Sequence, residues 1–237
     1  MPNYLETIYF RDEYSEKAYP QLLCNHIFEK YLSDTPESNS IEGKKILDIG
    51  SGKGNHLVGF SRLGLESYGI DKRDECVSIL DNFIIRECDI ESESFPYDSN
   101  SFDFVYSKSV LEHVVNADNF LSESLRVLKP GGRAVLLTPD WGSQYKFFWD
   151  DYTHVKAFTR KSLQDALVIH GFENVSCSYF LQLPMVWEYP WMEYVTELIA
   201  LLPDSLKWKD KEEKDFRTLI RFSKEKMLLA VANKMNE

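Results

Sequence analysis

An α/β fold built on a mostly parallel sheet, with helices on both faces, is what three features of this 237-residue chain predict. From Lys44 onward, short apolar runs alternate with amphipathic stretches, the rhythm of parallel strands joined by crossover helices. A glycine-rich turn, LDIGSGKG, follows the first of these runs. Asp48, Asp71 and Asp89 each stand at the end of an expected strand, the edge at which open α/β sheets bind ligands. The composition suits such a fold, since 43% hydrophobic residues can build one large core.

The N-terminal segment, residues 1–43, reads as helical and aromatic, with Tyr14, Tyr19, Leu22, Leu23, Ile27, Phe28 and Leu32 at helical spacing. SDTPESNS then marks a polar loop. KKILDIG is the first expected strand and HLVGFSRLG the helix after it. ESYGID is the second, followed by a weaker helix over KRDECVSILDN. FIIRECDI is the third, SFDFVYS the fourth and GGRAVLLTP the fifth. Between the last two, NADNFLSESLRVLK reads as a helix stopped by Pro130-Gly131-Gly132.

Beyond Pro139 the rhythm breaks. DWGSQYKFFWDDYTHVKAFT is a long aromatic and acidic connection, and RKSLQDALVIHGF returns to a helix ending at Gly171. NVSCSYFLQL is the sixth expected strand and KMLLAVANK the seventh. Residues 184–223 between them read as a helical, aromatic insertion over the sheet's edge, in which KWKDKEEKDFR is a solvated helix face. No linker-like stretch interrupts the chain, so residues 1–237 are expected to form one domain, divided at about 44 and 140.

Charge and cysteine usage exclude several function classes. A net charge of −11 without a basic stripe disfavours nucleic-acid binding, which draws on clustered Lys and Arg. MPNYLETIYFRDEYSEK has no apolar signal core, and YVTELIALLP carries Glu197 and is too short to span a bilayer. No membrane insertion is therefore expected, and the cytoplasm is the expected location. Cys24, Cys76, Cys88 and Cys177 are scattered, without zinc or disulfide spacing.

The glycine turn has three readings. A nucleoside-triphosphate loop requires Gly, four residues, then Gly-Lys-Ser/Thr, but Gly54 follows Lys53 and Leu47 fills the first glycine position. A dinucleotide fingerprint requires Gly-x-Gly-x-x-Gly, and Asn55 stands at its third position. Gly-x-Gly-x-Gly preceded by Asp48 remains, and it requires no phosphate.

In this pattern the chain resembles the S-adenosylmethionine-dependent methyltransferases with a Rossmann-like (class I) fold, from about Lys44 to Pro139. LDIGSGKG resembles their first motif, GID the second, CDI the third, FDFVYSKSVLEHV the fourth, and LRVLKPGG the turn before the fifth strand. The resemblance implies a doubly wound sheet of seven strands, the last antiparallel, and S-adenosyl-L-methionine as cofactor. It also implies that residues 44–139 form the cofactor-binding half and 140–237 the acceptor-side half. Gly50, Gly52 and Gly54 would bring main chain against the methionine part and ribose, and Asp48 would fix the loop and the amino group. Asp71 would accept the ribose hydroxyls, while Asp89 would face the adenine amino group between Cys88 and Ile90. Ser51, Asn55, Lys72 and Ser107 complete the implied cofactor set.

Methyl transfer from a sulfonium is an in-line displacement, so the protein chiefly aligns the reactants and excludes water. A hydroxyl acceptor benefits from a base near neutrality, which histidine supplies best. His26, His56 and His170 read as structural residues. His113 lies in the fourth motif, and its alternative is a helix residue packed under the sheet. His154 lies beyond the fifth strand, in a TH-x-x-x-FT run that resembles small-molecule methyltransferases. Asp150 and Asp151 are placed to orient its ring, and its alternative is a loop histidine capping the next helix. Trp141, Tyr145 and Tyr152 are expected to line an apolar acceptor pocket, with Phe147 or Phe148 in the core.

Asp140, Asp150, Asp151 and His154 offer metal-ligand atoms, but carboxylates near one another in sequence are common, and no metal is expected. The expected reaction is methylation of a small molecule, on oxygen first, of sugar, polysaccharide-precursor or natural-product type. Methylation on nitrogen, carboxyl or phosphorus-bound oxygen, and a catalytically silent cofactor-binding scaffold, are the alternatives. SKSV stands where amino-methylating DNA enzymes carry Asn/Asp-Pro-Pro-aromatic. The insertion around Trp187 and Trp191 either sets acceptor choice or makes a homodimer contact.

Overall fold

The computed structural model describes residues 19–33, 41, 43–72, 83–206 and 216–236. Helix α1 (Tyr19–Ile27) runs on through a wider turn over Phe28–Leu32. There follow β1 (Lys45–Ile49), α2 (Asn55–Ser61), β2 (Glu66–Asp71), β3 (Ile84–Glu87) and β4 (Phe102–Lys108). After a single turn at Leu111–His113 come α3 (Ala117–Val127) and β5 (Leu128–Pro139). The second half adds α4 (Trp141–Gln144), α5 (Arg160–Ile169), β6 (Glu173–Phe180), α6 (Pro184–Glu188), α7 (Met192–Ala200), α8 (Phe216–Lys224) and β7 (Met227–Asn233). The weaker helix expected beyond Lys72, Cys76, Tyr14, most of the SDTPESNS loop and most of the charged run KWKDKEEKDFR lie outside the described residues.

The seven strands form one sheet in the order β3-β2-β1-β4-β5-β7-β6. The first five pair in parallel, and β7 runs antiparallel to both β5 and β6, as the resemblance implied. Alternation along the central strands separates two cores. Leu47, Ile49 and Val105 face one side, with Phe120, Leu121, Leu163 and Leu167 of α3 and α5. Ile46, Phe104 and Tyr106 face the other, with Leu23, Ile27 and Phe60 of α1 and α2. Burial on both faces explains why these strands read as continuous apolar runs.

Local chemistry fixes the helix ends. Asn116 caps α3 by accepting from the Asn119 N–H, and Thr159 and Ser162 form a reciprocal box at the start of α5. α1 and α2 approach so closely that a Cβ at Gly59 would sit 2.6 Å from Cys24 Sγ. One boundary differs from expectation. Helix α3 stops at Val127, and β5 already begins at Leu128, which pairs with Phe102 across an irregular register. Lys129 is tied to Asp103 at 2.8 Å, so the Pro-Gly-Gly segment lies within the strand's bent start.

The insertion is helical among its described residues. Trp187 of α6 donates to the Leu181 carbonyl at 2.7 Å and stacks on His26, with ring centroids 4.8 Å apart. His26 is half-buried beneath Trp187, and burial, with Lys30 nearby, depresses its pKa to about 4. The half-buried ring of His56 lies 5.3 Å from that of Tyr106, and His170 binds the Ala166 carbonyl at the end of α5.

Candidate active site

The glycine turn is built by the sheet beneath it. The Gly50 and Ser51 N–H groups both donate to the Ile70 carbonyl, at 2.8 and 3.1 Å, which folds the loop back over β2. Gly50 adopts φ +73°, and a Cβ there would lie 2.4 Å from Val110 Cγ2, so both backbone and packing require glycine. The Gly52 N–H then donates to Asp71 Oδ2 at 2.9 Å, joining the loop to the end of β2. Asn55 opens helix α2 directly behind Gly54.

Asp48 and Asp71 are both buried at this edge, 2% and 5% exposed. Burial, reinforced by the Asp71 charge, holds the Asp48 carboxyl well above the usual range. Asp48 Oδ2 and Ser51 Oγ are buried without a hydrogen-bond partner in the protein. Orphaned buried acceptors cost roughly 1–3 kcal/mol each, more for a charged group. A ligand bearing cationic and hydroxyl groups would satisfy them, whereas a phosphate would be repelled by the paired carboxylates. S-adenosylmethionine, with its ammonium, sulfonium and ribose hydroxyls, fits this donor-hungry edge.

Next along the rim, Lys72 Nζ contacts Asp89 Oδ2 at 3.0 Å and the Glu91 N–H donates to Asp89 Oδ1 at 3.2 Å. Burial opposes the charged form of Asp89, but these partners outweigh it and hold the carboxyl below its usual range. Cys88 and Ile90 on either side of Asp89 are buried. Ser107 is buried too, and its hydroxyl donates to the Ile49 carbonyl at 2.9 Å, tying β4 to β1.

The end of β4 turns sharply. Ser109 takes φ +57°, and its N–H donates to the Leu137 carbonyl. This turn carries Val110 against Gly50 and launches the Leu111–His113 turn. The long connection after β5 returns to it, because the Val155 and Lys156 N–H groups donate to the Glu112 carbonyl at 2.9 and 3.1 Å. Its base is closed by pairing of Asp140 with Phe158. His113 and His154 are thereby brought together across forty-one residues, with ring centroids 4.8 Å apart.

His113 Nδ1 faces the Thr153 carbonyl at 3.2 Å and the Thr153 hydroxyl at 2.9 Å. His154 Nδ1 faces the Phe148 carbonyl at 2.6 Å, and its Nε2 is 4.0 Å from Asp151 Oδ2. The ring of His154 is therefore oriented by Phe148, and the helix cap belongs to Thr159. Glu112, 1% exposed, was missed by the sequence reading. It accepts from the Thr138 hydroxyl at 2.9 Å, and burial raises its pKa to about 7 against the opposing pull of its hydrogen bonds and of Lys108. Asp140 caps α4 through the Ser143 N–H at 2.7 Å.

The aromatic connection divides by burial. Phe148 is 2% exposed and packs against Trp141, Trp149 and His154. Trp141 also meets Tyr145 edge to face. Tyr145 is 55% exposed and Tyr152 83%, so Tyr152 stands at the outermost rim. No helix among the described residues is long and apolar enough to cross a membrane.

Comparison with known proteins gives the family. A family model described as a methyltransferase domain matches residues 20–177, about two thirds of the chain. The mitochondrial ubiquinone biosynthesis O-methyltransferase of Homo sapiens is 36% identical over 107 residues, 40% of this chain and 29% of that protein. The ubiquinone/menaquinone biosynthesis C-methyltransferase UbiE of Idiomarina loihiensis is 34% identical over 128 residues, 48% of this chain and 49% of that one. The matched part thus spans less than half the length of both relatives. A SAM-dependent methyltransferase from Archaeoglobus fulgidus shares the fold at TM-score 0.63 and 19% identity, over 96% of this chain and 100% of that one.

Proposed function

We propose that this chain, which belongs to the S-adenosylmethionine-dependent methyltransferases of the Rossmann-like class, methylates an oxygen of a small-molecule acceptor. The observation that carries the choice of oxygen is the meeting of His113 and His154 at the same sheet edge as Asp48 and Asp71. With Nδ1 of each ring turned to a backbone carbonyl, both present Nε2, a lone pair suited to a hydroxyl hydrogen.

Bound, the cofactor supplies a methyl group already activated on a sulfonium sulfur. The chain's residues then have three tasks: to hold, to align and to take a proton. Asp71 holds the ribose hydroxyls while steadying the loop through Gly52. Asp48, with Ser51, receives the ammonium end, and Asp89 faces the adenine amino group between Cys88 and Ile90. Asn55, Lys72 and Ser107 support this frame, Lys72 through Asp89 and Ser107 through the β1 backbone. His113 or His154 takes the acceptor's proton at Nε2 as the methyl moves. Trp141 and Tyr145 form the apolar wall that excludes water, and Tyr152 closes the outer rim.

Supporting the small-molecule reading are the net charge of −11 and this aromatic wall. The whole chain is read as one catalytic unit, because β6 and β7 complete the sheet whose other strands carry the site. Incubation with methyl-labelled S-adenosylmethionine and a panel of phenols, sugars, carboxylates and amines tests the proposal. Label is expected in an alkali-stable ether. Label on nitrogen or carbon would overturn the oxygen assignment.

A further inference from the structure

Behind the proton-taking pair lies more lone-pair density than a proton transfer requires. One ligand atom each of Glu112, His113 and His154 lies within 4.8 Å of the other two. Both rings are held from behind. The Thr153 hydroxyl donates to Asp151 Oδ1 at 2.6 Å, so toward His113 Nδ1 that oxygen can only accept. Together with the Thr153 carbonyl, it fixes the proton on Nδ1 and the lone pair on Nε2. The Phe148 carbonyl does the same for His154. Glu112 is anchored through Oε2 to Thr138, and its Oε1 is 4.0 Å from His113 Nε2.

We propose that Glu112, His113 and His154 bind a divalent cation of the zinc or manganese class, Glu112 through Oε1 and each histidine through Nε2. Mixed imidazole and carboxylate donors suit such ions. A carbonyl behind each imidazole is the outer-shell arrangement that orients metal-ligating histidines. Ligands about 2.0–2.2 Å from one ion lie roughly 3–4 Å from each other, so the cluster closes on an ion with small side-chain movements. Three protein ligands leave a position for a substrate oxygen. The two Nε2 atoms and the ionised Glu112 Oε1 are acceptors, and Asp151 Oδ2, 4.0 Å from His154 Nε2, adds to them. A cation between them converts mutual repulsion into attraction. Binding of the ion requires neither cofactor nor acceptor. Its purpose alone rests on the proposed reaction: it would acidify an acceptor hydroxyl that the bare imidazoles otherwise deprotonate.

Titration of the metal-stripped full chain with cobalt(II), followed by visible absorption, tests the site, with S-adenosylhomocysteine calorimetry run in parallel. One equivalent should saturate with a nitrogen/oxygen spectrum. His154→Ala and His113→Gln should each weaken cobalt binding at least about tenfold. Both should keep near-wild-type affinity for S-adenosylhomocysteine, which reports an intact fold. Glu112→Gln, which preserves shape, should weaken cobalt binding as well. The proposal is overturned if protein that binds S-adenosylhomocysteine takes up no saturating equivalent, or if all three variants bind cobalt as the wild type does. A thiolate-to-cobalt band would also overturn it, by assigning the ion to a cysteine. Cobalt uptake without S-adenosylhomocysteine binding would leave this site standing and remove the methyltransferase reading.

Discussion

Asp71→Ala is expected to weaken S-adenosylhomocysteine binding by about a hundredfold or more. The carboxylate serves two partners in the account: the Gly52 N–H at 2.9 Å and, in the complex, the ribose hydroxyls. Hydrogen bonds to a charged group contribute about 1.5–3 kcal/mol each, and since the Gly52 bond is present with or without ligand, it is the loss of the two ribose hydroxyl bonds that exceeds about 3 kcal/mol, or two orders of magnitude. Asp71→Asn retains an acceptor for Gly52 and should fall between the two. The fold should tolerate both changes, since the Asp71 charge opposes that of buried Asp48. Isothermal titration separates the cases. An alanine variant with wild-type affinity would refute the ribose assignment.

The second large effect lies at the histidines. His154→Ala and His113→Ala should each lower kcat by about a hundredfold to ten-thousandfold, the usual span for a positioned acid–base group. Donor affinity should stay unchanged, because neither ring lies among the residues assigned to it. The double variant should lose little more than the worse single one, as groups acting as a unit do. Pre-steady-state methyl transfer to an acceptor that accepts label measures the effect. Full turnover in both variants would remove histidine from the chemistry. Chelation separates the two roles open to the pair. Turnover insensitive to chelator marks bare imidazoles as bases, and turnover that collapses and returns with added metal marks them as ligands.

The first five strands were legible because their signals are local. Buried parallel strands read as apolar runs, LDIGSGKG announces a strand-to-loop turn, and Asp48 and Asp71 fall within the last two residues of β1 and β2, with Asp89 two residues beyond β3. The cap at Thr159 was legible for the same reason. The start of β5 was not, because Pro130-Gly131-Gly132 is a strong local stop and only pairing of Leu128 with Phe102 reveals the strand. Nor was Glu112. Its proximity to His154 arises from backbone bonds between the Leu111–His113 turn and residues 155 and 156, which no periodicity encodes. His26 was legible as structural, but its stacking on Trp187 depends on where the insertion folds back. Sequence spacing suggested metal donors among Asp140, Asp150, Asp151 and His154, and of these His154 alone joins the converging cluster, while Asp140 is committed to capping α4. The converging donors come from two distant segments.

That a donor-hungry rim, two crowded acids beneath a glycine bend, exists to receive an adenosyl sulfonium is the claim on which the rest depends. Calorimetric titration of the wild-type chain with S-adenosylhomocysteine addresses it directly. The account predicts a single site with a dissociation constant on the order of micromolar. Well-folded protein that releases or absorbs no binding heat across a range of temperatures would contradict it.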